Sequence, residues 1–289
     1  MKKAQVSLLA VLIIVLLIGI PITYFIATTK ERMGDTARKE SCIISVKTNA
    51  EARQGKTIFE ENVKCPAKLL TITEKEDNKI KRTLADEMAE CWEIFGGGKS
   101  ELFDEEGVYC AVCSVVDFKD KNKKIGGFSE YLLKTNMRSP RNKLVYADYL
   151  SVYKTPNAEK YAEDILSKGG ADTTIDTSNT YSTLFIYAKG KDAISDLKDA
   201  LGGTGKAVAI TGLAGGAAGG AIAVFLLGSN PVGWVTAGFI VVGAGAFSLY
   251  TYFSGEPPEW MALTTLTEYS EQELDRYKCK ILPVEQGNI

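Results

Sequence analysis

Two long stretches of this sequence carry no charged side chain, and they limit the possible folds more than any other feature. The first has an apolar heart of 21 residues, 6–26. A helix rises ~1.5 Å per residue and a hydrocarbon core is ~30 Å thick, so about 20 residues cross it. The second runs over residues 207–255, which is 49 residues without a charge. That is too long for one crossing. It divides at Gly228-Ser229-Asn230-Pro231, where Pro231 pushes Asn230 out of the helical region. The halves, 207–227 and 232–253, each have spanning length. The expectation is an N-terminal transmembrane helix and a later transmembrane helical hairpin, with membrane lipid as a partner. A buried pair of soluble core helices would each need a polar face, and neither half has one.

The remaining composition excludes several classes. Lys plus Arg is 34 and Asp plus Glu is 36 in 289 residues, and 45% are hydrophobic. That is too apolar for a disordered chain and not basic enough for a nucleic-acid binder. There is no histidine, which removes imidazole bases and His-ligated metals. The carboxylate pairs Glu60-Glu61 and Glu105-Glu106 stand apart from any nucleophile or metal ligand. The chain therefore reads as non-enzymatic, with no catalytic residue, metal or cofactor expected.

The N-terminus reads Met1-Lys2-Lys3-Ala4-Gln5-Val6-Ser7. A cleaved secretory signal has an apolar core of ~7–15 residues and a small-x-small cleavage site. This run is longer and no such site closes it, so a retained anchor is expected. The segment resembles the class III signal of archaeal type IV pilin-like proteins. The resemblance implies a prepilin-type cut between Ala4 and Gln5, leaving the apolar span at the new N-terminus. That family carries Glu at the fifth mature position, where it registers subunits in a filament. Leu9 stands there in this chain. The resemblance thus implies anchoring and lends filament assembly no support.

Lysines and arginines flank the first span on both sides, so charge alone does not orient it. Cysteines add a second criterion. Cys42, Cys65, Cys91, Cys110, Cys113 and Cys279 all lie outside the spans, and a short hairpin turn puts 28–206 and 254–289 on one side. An even set in one compartment is the pattern of disulfides in an oxidising space. With the signal resemblance, this places a multi-pass protein in the cell membrane with its main domain extracytoplasmic.

Both helix and strand are expected in that domain. Ile80, Leu84, Met88, Cys91, Trp92 and Phe95 form one apolar helical stripe, with Lys81, Arg82, Asp86, Glu87, Glu90 and Glu93 on the rest. Gly96-Gly97-Gly98 ends it. Residues 108–116, 180–188 and 260–266 read as strands. Thr155-Pro156 opens a helix, and 192–201 is a short helix leading to the membrane. Ser270-Glu271-Gln272-Glu273 is a capping box, followed by a helix and an extended segment over 279–284. The fold class is α+β: an anchor over 1–27, an extracytoplasmic domain over 28–204, a helical hairpin over 205–254, and a tail over 255–289 docking on the domain.

The cysteines constrain this further. If all six pair, Cys279 must bond to one of five upstream cysteines and staple the tail to the domain. Cys110 and Cys113 on one strand are ~10 Å apart, beyond the ~7 Å that a disulfide bridges, and point to opposite faces. Cys91 is the natural partner for one of them. The full connectivity stays open. A zinc ribbon would need a second close pair, and a thioredoxin-like pair would sit at a helix start, so structural disulfides are favoured.

Gly202-Gly203-Thr204-Gly205-Lys206 lacks the phosphate-loop pattern, with Ala200 and Ala207 at the required Gly and Ser/Thr positions. Gly212, Gly216 and Gly220, flanked by Gly215 and Gly219, make a small-residue groove for close helix packing. The groove serves the hairpin itself, or a homo-oligomer, or less favourably a pore, since only Thr211, Thr236, Ser248 and Thr251 would line one. Cys91-Trp92-Glu93-Ile94-Phe95-Gly96, Tyr109-Cys110-x-x-Cys113-Ser114 and Tyr269-Ser270 leading to Cys279 together resemble uncharacterised archaeal membrane proteins. That resemblance implies no activity. The functional expectation is a membrane-anchored envelope protein acting by contact with protein partners. A membrane-active or pore-forming protein is the alternative, and a pilin-like surface subunit a weaker one.

Overall fold

The computed structural model describes residues 34–51, 63, 65–98, 101–138, 144–150, 174–200, 224–226, 237–243, 246–252 and 259–282. The chain divides into two compact units, 1–41 and 42–289. The described residues of the first, 34–41, are helical. The second opens with a helix over 42–51, here α1. Then come β1 (Lys68–Ile72), α2 (Asp77–Ile94), β2 (Gly107–Phe118), β3 (Lys124–Ile125), α3 (Phe128–Lys134) and α4 (Tyr146–Leu150). β4 (Ile175–Asp176), β5 (Tyr181–Lys189) and α5 (Lys191–Ala200) follow. The last are β6 (Val224–Leu226), β7 (Ala237–Gly243), β8 (Ala246–Tyr252), β9 (Trp260–Glu268), α6 (Glu271–Arg276) and β10 (Lys280–Ile281). The fold is α+β.

A five-stranded mixed sheet organises the second unit, in the order β1-β2-β5-β9, with β10 also on β2. β2 and β5 are antiparallel, as are β5 and β9. β1 and β10 both run parallel to β2, β10 at Tyr109 and Cys110, β1 from Ser114 to Phe118. They lie end to end on one edge. The C-terminal tail thus supplies two strands of the sheet, β9 and β10, although the 49-residue uncharged stretch separates it from the rest.

Each face of the sheet carries its own core. On one face α2 lays its stripe on the strands: Ile80, Leu84, Met88, Cys91, Trp92 and Phe95 are all buried, with Phe185, Tyr187, Trp260 and Ala262 below them. Phe95 stacks on Phe185 at 4.1 Å between centroids, and Tyr187 on Trp260 at 5.6 Å. Burying each large side chain of this set contributes roughly 1.5–3 kcal/mol. On the other face Val108, Cys110, Val112, Leu184, Ile186 and Leu263 meet Ala193, Ile194 and Leu197 of α5 and Tyr277 of the tail. β5 and β9 are buried on both faces, which is why residues 184–188 and 260–263 are apolar without alternation.

α2 ends where the three glycines turn, with φ of 67°, 65° and 62°. At Gly98 a Cβ would lie 2.6 Å from Cη2 of Trp92 and 2.9 Å from Cβ of Ala262. Glycine is needed there for both the left-handed backbone and the close packing.

The uncharged second stretch departs from the helical expectation. Its described residues form an antiparallel three-stranded sheet, β6-β7-β8, with Val224 opposite Val241 and Ile240 opposite Leu249. Among the described residues no helix is long and apolar enough to cross a membrane. Phe239, Ile240, Val241, Val242, Phe247, Tyr250 and Tyr252 are β-branched or aromatic, and the intervening glycines favour helix weakly. Spanning length and absence of charge say nothing about that local preference. The processing pair Ala4 and Gln5, the Thr155-Pro156 helix start, and Gly212, Gly215, Gly216, Gly219 and Gly220 lie outside the described residues.

Candidate functional site: a stapled sheet and its open edge

All six cysteines are paired: Cys42–Cys65, Cys91–Cys113 and Cys110–Cys279, with Cα separations of 4.7, 5.5 and 5.5 Å. Cys110 and Cys113 do not bond each other, as strand geometry demands, and Cys91 of α2 takes Cys113. Cys279 joins Cys110 and fixes the tail to the centre of the sheet.

A β-bulge at Cys113 shapes this region. Val112 pairs with Leu184 and Ser114 with Thr183, so Cys113 is the extra residue. A bulge shifts the alternation of side chains by one. Before it, Tyr109 and Ala111 face α2; after it, Val116 and Phe118 do. The shift keeps Asp117 out of the α2 core, where it ion-pairs instead with Lys121. Lys121 and a hydrogen bond from the Phe118 amide hold the Asp117 carboxyl below its ordinary value.

Beside the bulge a polar chain crosses the apolar layer. Lys68 Nζ of β1 donates to Glu87 Oε1 of α2 at 2.6 Å, with side-chain exposures of 17% and 9%. Burial pushes the Glu87 carboxyl above its ordinary value, and Lys68 opposes that shift. Ser114 hydrogen-bonds Glu87 and also Thr183 of β5. A serine beside a carboxylate and a lysine suggests nucleophile chemistry in outline. Burial weighs against it, because Ser114 and Thr183 are 1% and 0% exposed. The chain ties edge strand, helix and bulge together.

Glu87, expected on the solvated side of α2, is instead buried at 8% exposure. Its spacing held the signal, since it lies three residues after Leu84 and four before Cys91, both on the stripe. Lys68 and Ser114 carried no such mark.

A second polar group joins α2 to the small helices. Arg82 Nε donates to the Tyr131 hydroxyl at 3.1 Å, and the Tyr146 hydroxyl donates to Asp86. Burial and the Asp86 carboxylate push the Tyr146 phenol well above its ordinary value. These bonds anchor α3 and α4 rather than expose a reactive group.

Among the described residues the large apolar side chains left in solvent are Ile44, Leu69, Tyr269 and Ile281. Leu69 and Ile281 share the β1/β10 edge and, by their register on Val115 and Cys110, the same face. No protein-family model, curated protein or solved structure matches the chain.

Proposed function

We propose that this is a membrane-anchored envelope protein whose disulfide-stapled α+β domain lies outside the cytoplasm and acts by binding partners rather than by catalysis. The Cys110–Cys279 pair carries the reading. It joins residues on either side of the uncharged stretch, so both flanks share one compartment, and paired cysteines belong to oxidising compartments. Residues 6–26 have the length and apolarity of an anchor. The glycine-rich stretch would add a hairpin as helix, or strands to a closed barrel. An open three-stranded sheet leaves backbone groups at its edges unsatisfied in lipid.

The test is topology in the native membrane. Alkaline carbonate extraction should leave the chain in the membrane pellet, and an impermeant amine reagent on intact cells should label lysines of the domain. A domain labelled only after lysis would contradict the reading.

A membrane-active protein using the 212–220 groove is the second reading, supported by glycines four residues apart. Gly216→Ile should then change oligomer size or permeability; no change in either sinks it. The pilin-like reading rests on Ala4-Gln5, and a mature protein retaining Met1 removes it.

A further inference from the structure

We infer that the β1 edge is a self-association surface, on which a second copy of this chain adds its own β1 antiparallel to the first. The inference goes beyond the partner-binding reading and stands without the bilayer. Among the described residues β1 pairs only with β2. The Lys119 amide donates to the Ile72 carbonyl. In a parallel ladder alternate residues turn their backbone groups to the same neighbour, so Lys68, Leu70 and Ile72 face β2. Leu69 and Thr71 therefore turn theirs outward.

Edge strands are usually guarded by an outward charge, a proline or a bulge. β1 has none of these. Its one lysine is turned inward to Glu87, and the bulge sits on β2. Leu69 is 74% exposed and Thr71 is exposed beside it.

The sequence around the strand is complementary to itself. With Thr71 opposite Thr71 of the second copy, Leu69 faces Thr73, and Leu69 and Thr71 turn backbone groups toward the junction. On the α2 side of the sheet the same register puts Leu70 opposite Ile72 and Lys68 opposite Glu74. A two-fold axis repeats each contact. Glu74 Oε2 accepts the neighbouring Thr73 amide, at 3.1 Å. Centring the pair on Leu70 keeps backbone bonding but sets Lys68 against Ile72, whereas the register on Thr71 brings Lys68 a second carboxylate beside Glu87.

Disulfide trapping in the full chain tests this. Hydrogen-bonded partners in an antiparallel pair have Cα atoms ~5.5 Å apart, within disulfide reach. Thr71→Cys, at an exposed site, should give a covalent homodimer on mild oxidation in native membranes. Lys121→Cys, beyond the strand on an exposed turn, should give little. Adding Glu74→Lys to Thr71→Cys should lower the dimer yield roughly threefold or more, because like charges then oppose each other. No Thr71→Cys homodimer, equal yield from Lys121→Cys, or linkage to a different protein would each overturn the inference.

Discussion

Cys110 and Cys113 stand on one strand yet serve opposite faces of the sheet: Cys110 is bonded to Cys279 beside α5, and Cys113 to Cys91 of α2. Each layer of the domain is stapled to the same central strand. The two staples differ in reach, with sequence separations of 169 and 22 residues.

That difference predicts an order of stabilities. In the chain-entropy account a loop of ~100 residues contributes about 4.7 kcal/mol and one of ~15 about 3 kcal/mol. Replacing both Cys110 and Cys279 by Ala should therefore destabilise the domain more than replacing Cys91 and Cys113. Urea titrations followed by tryptophan fluorescence measure both. The reverse order would show that native packing, not loop closure, sets the worth of the staples.

Glu87 should make stability depend on pH. Its folded-state pKa is raised above the ordinary 4.5. A raised carboxyl contributes stability fully below the unfolded value and loses it as pH rises through the folded one. Wild type should thus lose stability relative to Glu87→Gln as pH climbs from about 4 through the folded value, then stay level. Denaturation midpoints across that range test it; parallel pH profiles would refute a raised Glu87.

Gly98→Ala should cost about 2–4 kcal/mol, combining a left-handed backbone unsuited to Ala with the close approach of Trp92. Gly96→Ala, where a Cβ meets nothing within 4 Å, should cost less because only the backbone is strained. Thermal melts of the two variants compare the positions directly. Equal losses would mean that Trp92 yields freely.

Residues 205–254 should change state with their surroundings. Strands β6-β7-β8 suit water or protein contact; inside a bilayer their residues need a helix or a closed barrel. Infrared spectra of isotope-labelled full-length protein should show a helical amide band for this stretch in lipid. A strand band there would end the hairpin proposal while leaving the 6–26 anchor standing.

Much of the sheet was legible because its signals are local or forced by geometry. The stripe from Ile80 to Phe95, the β-branched run over 108–116 and the turn at Gly96-Gly97-Gly98 follow from periodicity and backbone freedom. The refusal of Cys110 and Cys113 to pair follows from strand dimensions alone. β1 went unread because Lys-Leu-Leu-Thr-Ile is short and gains its place only from a parallel partner distant in sequence. The bulge was hidden because one extra residue leaves no mark in composition. The charge of Glu87 favours a solvated face, while its spacing from Leu84 and Cys91 sets it on the buried stripe. In the uncharged stretch, length favoured helix while Val, Ile, Phe and Tyr favoured strand.

On the proposed function, the tail and the domain share one oxidising compartment and are joined across the uncharged stretch by Cys110–Cys279. Protein taken from native membranes into denaturant with an alkylating agent, then digested without reduction, tests it most directly. The expected product is a disulfide-linked peptide pair containing Cys110 and Cys279, with no alkylated cysteine. Cys279 recovered in alkylated form would contradict it.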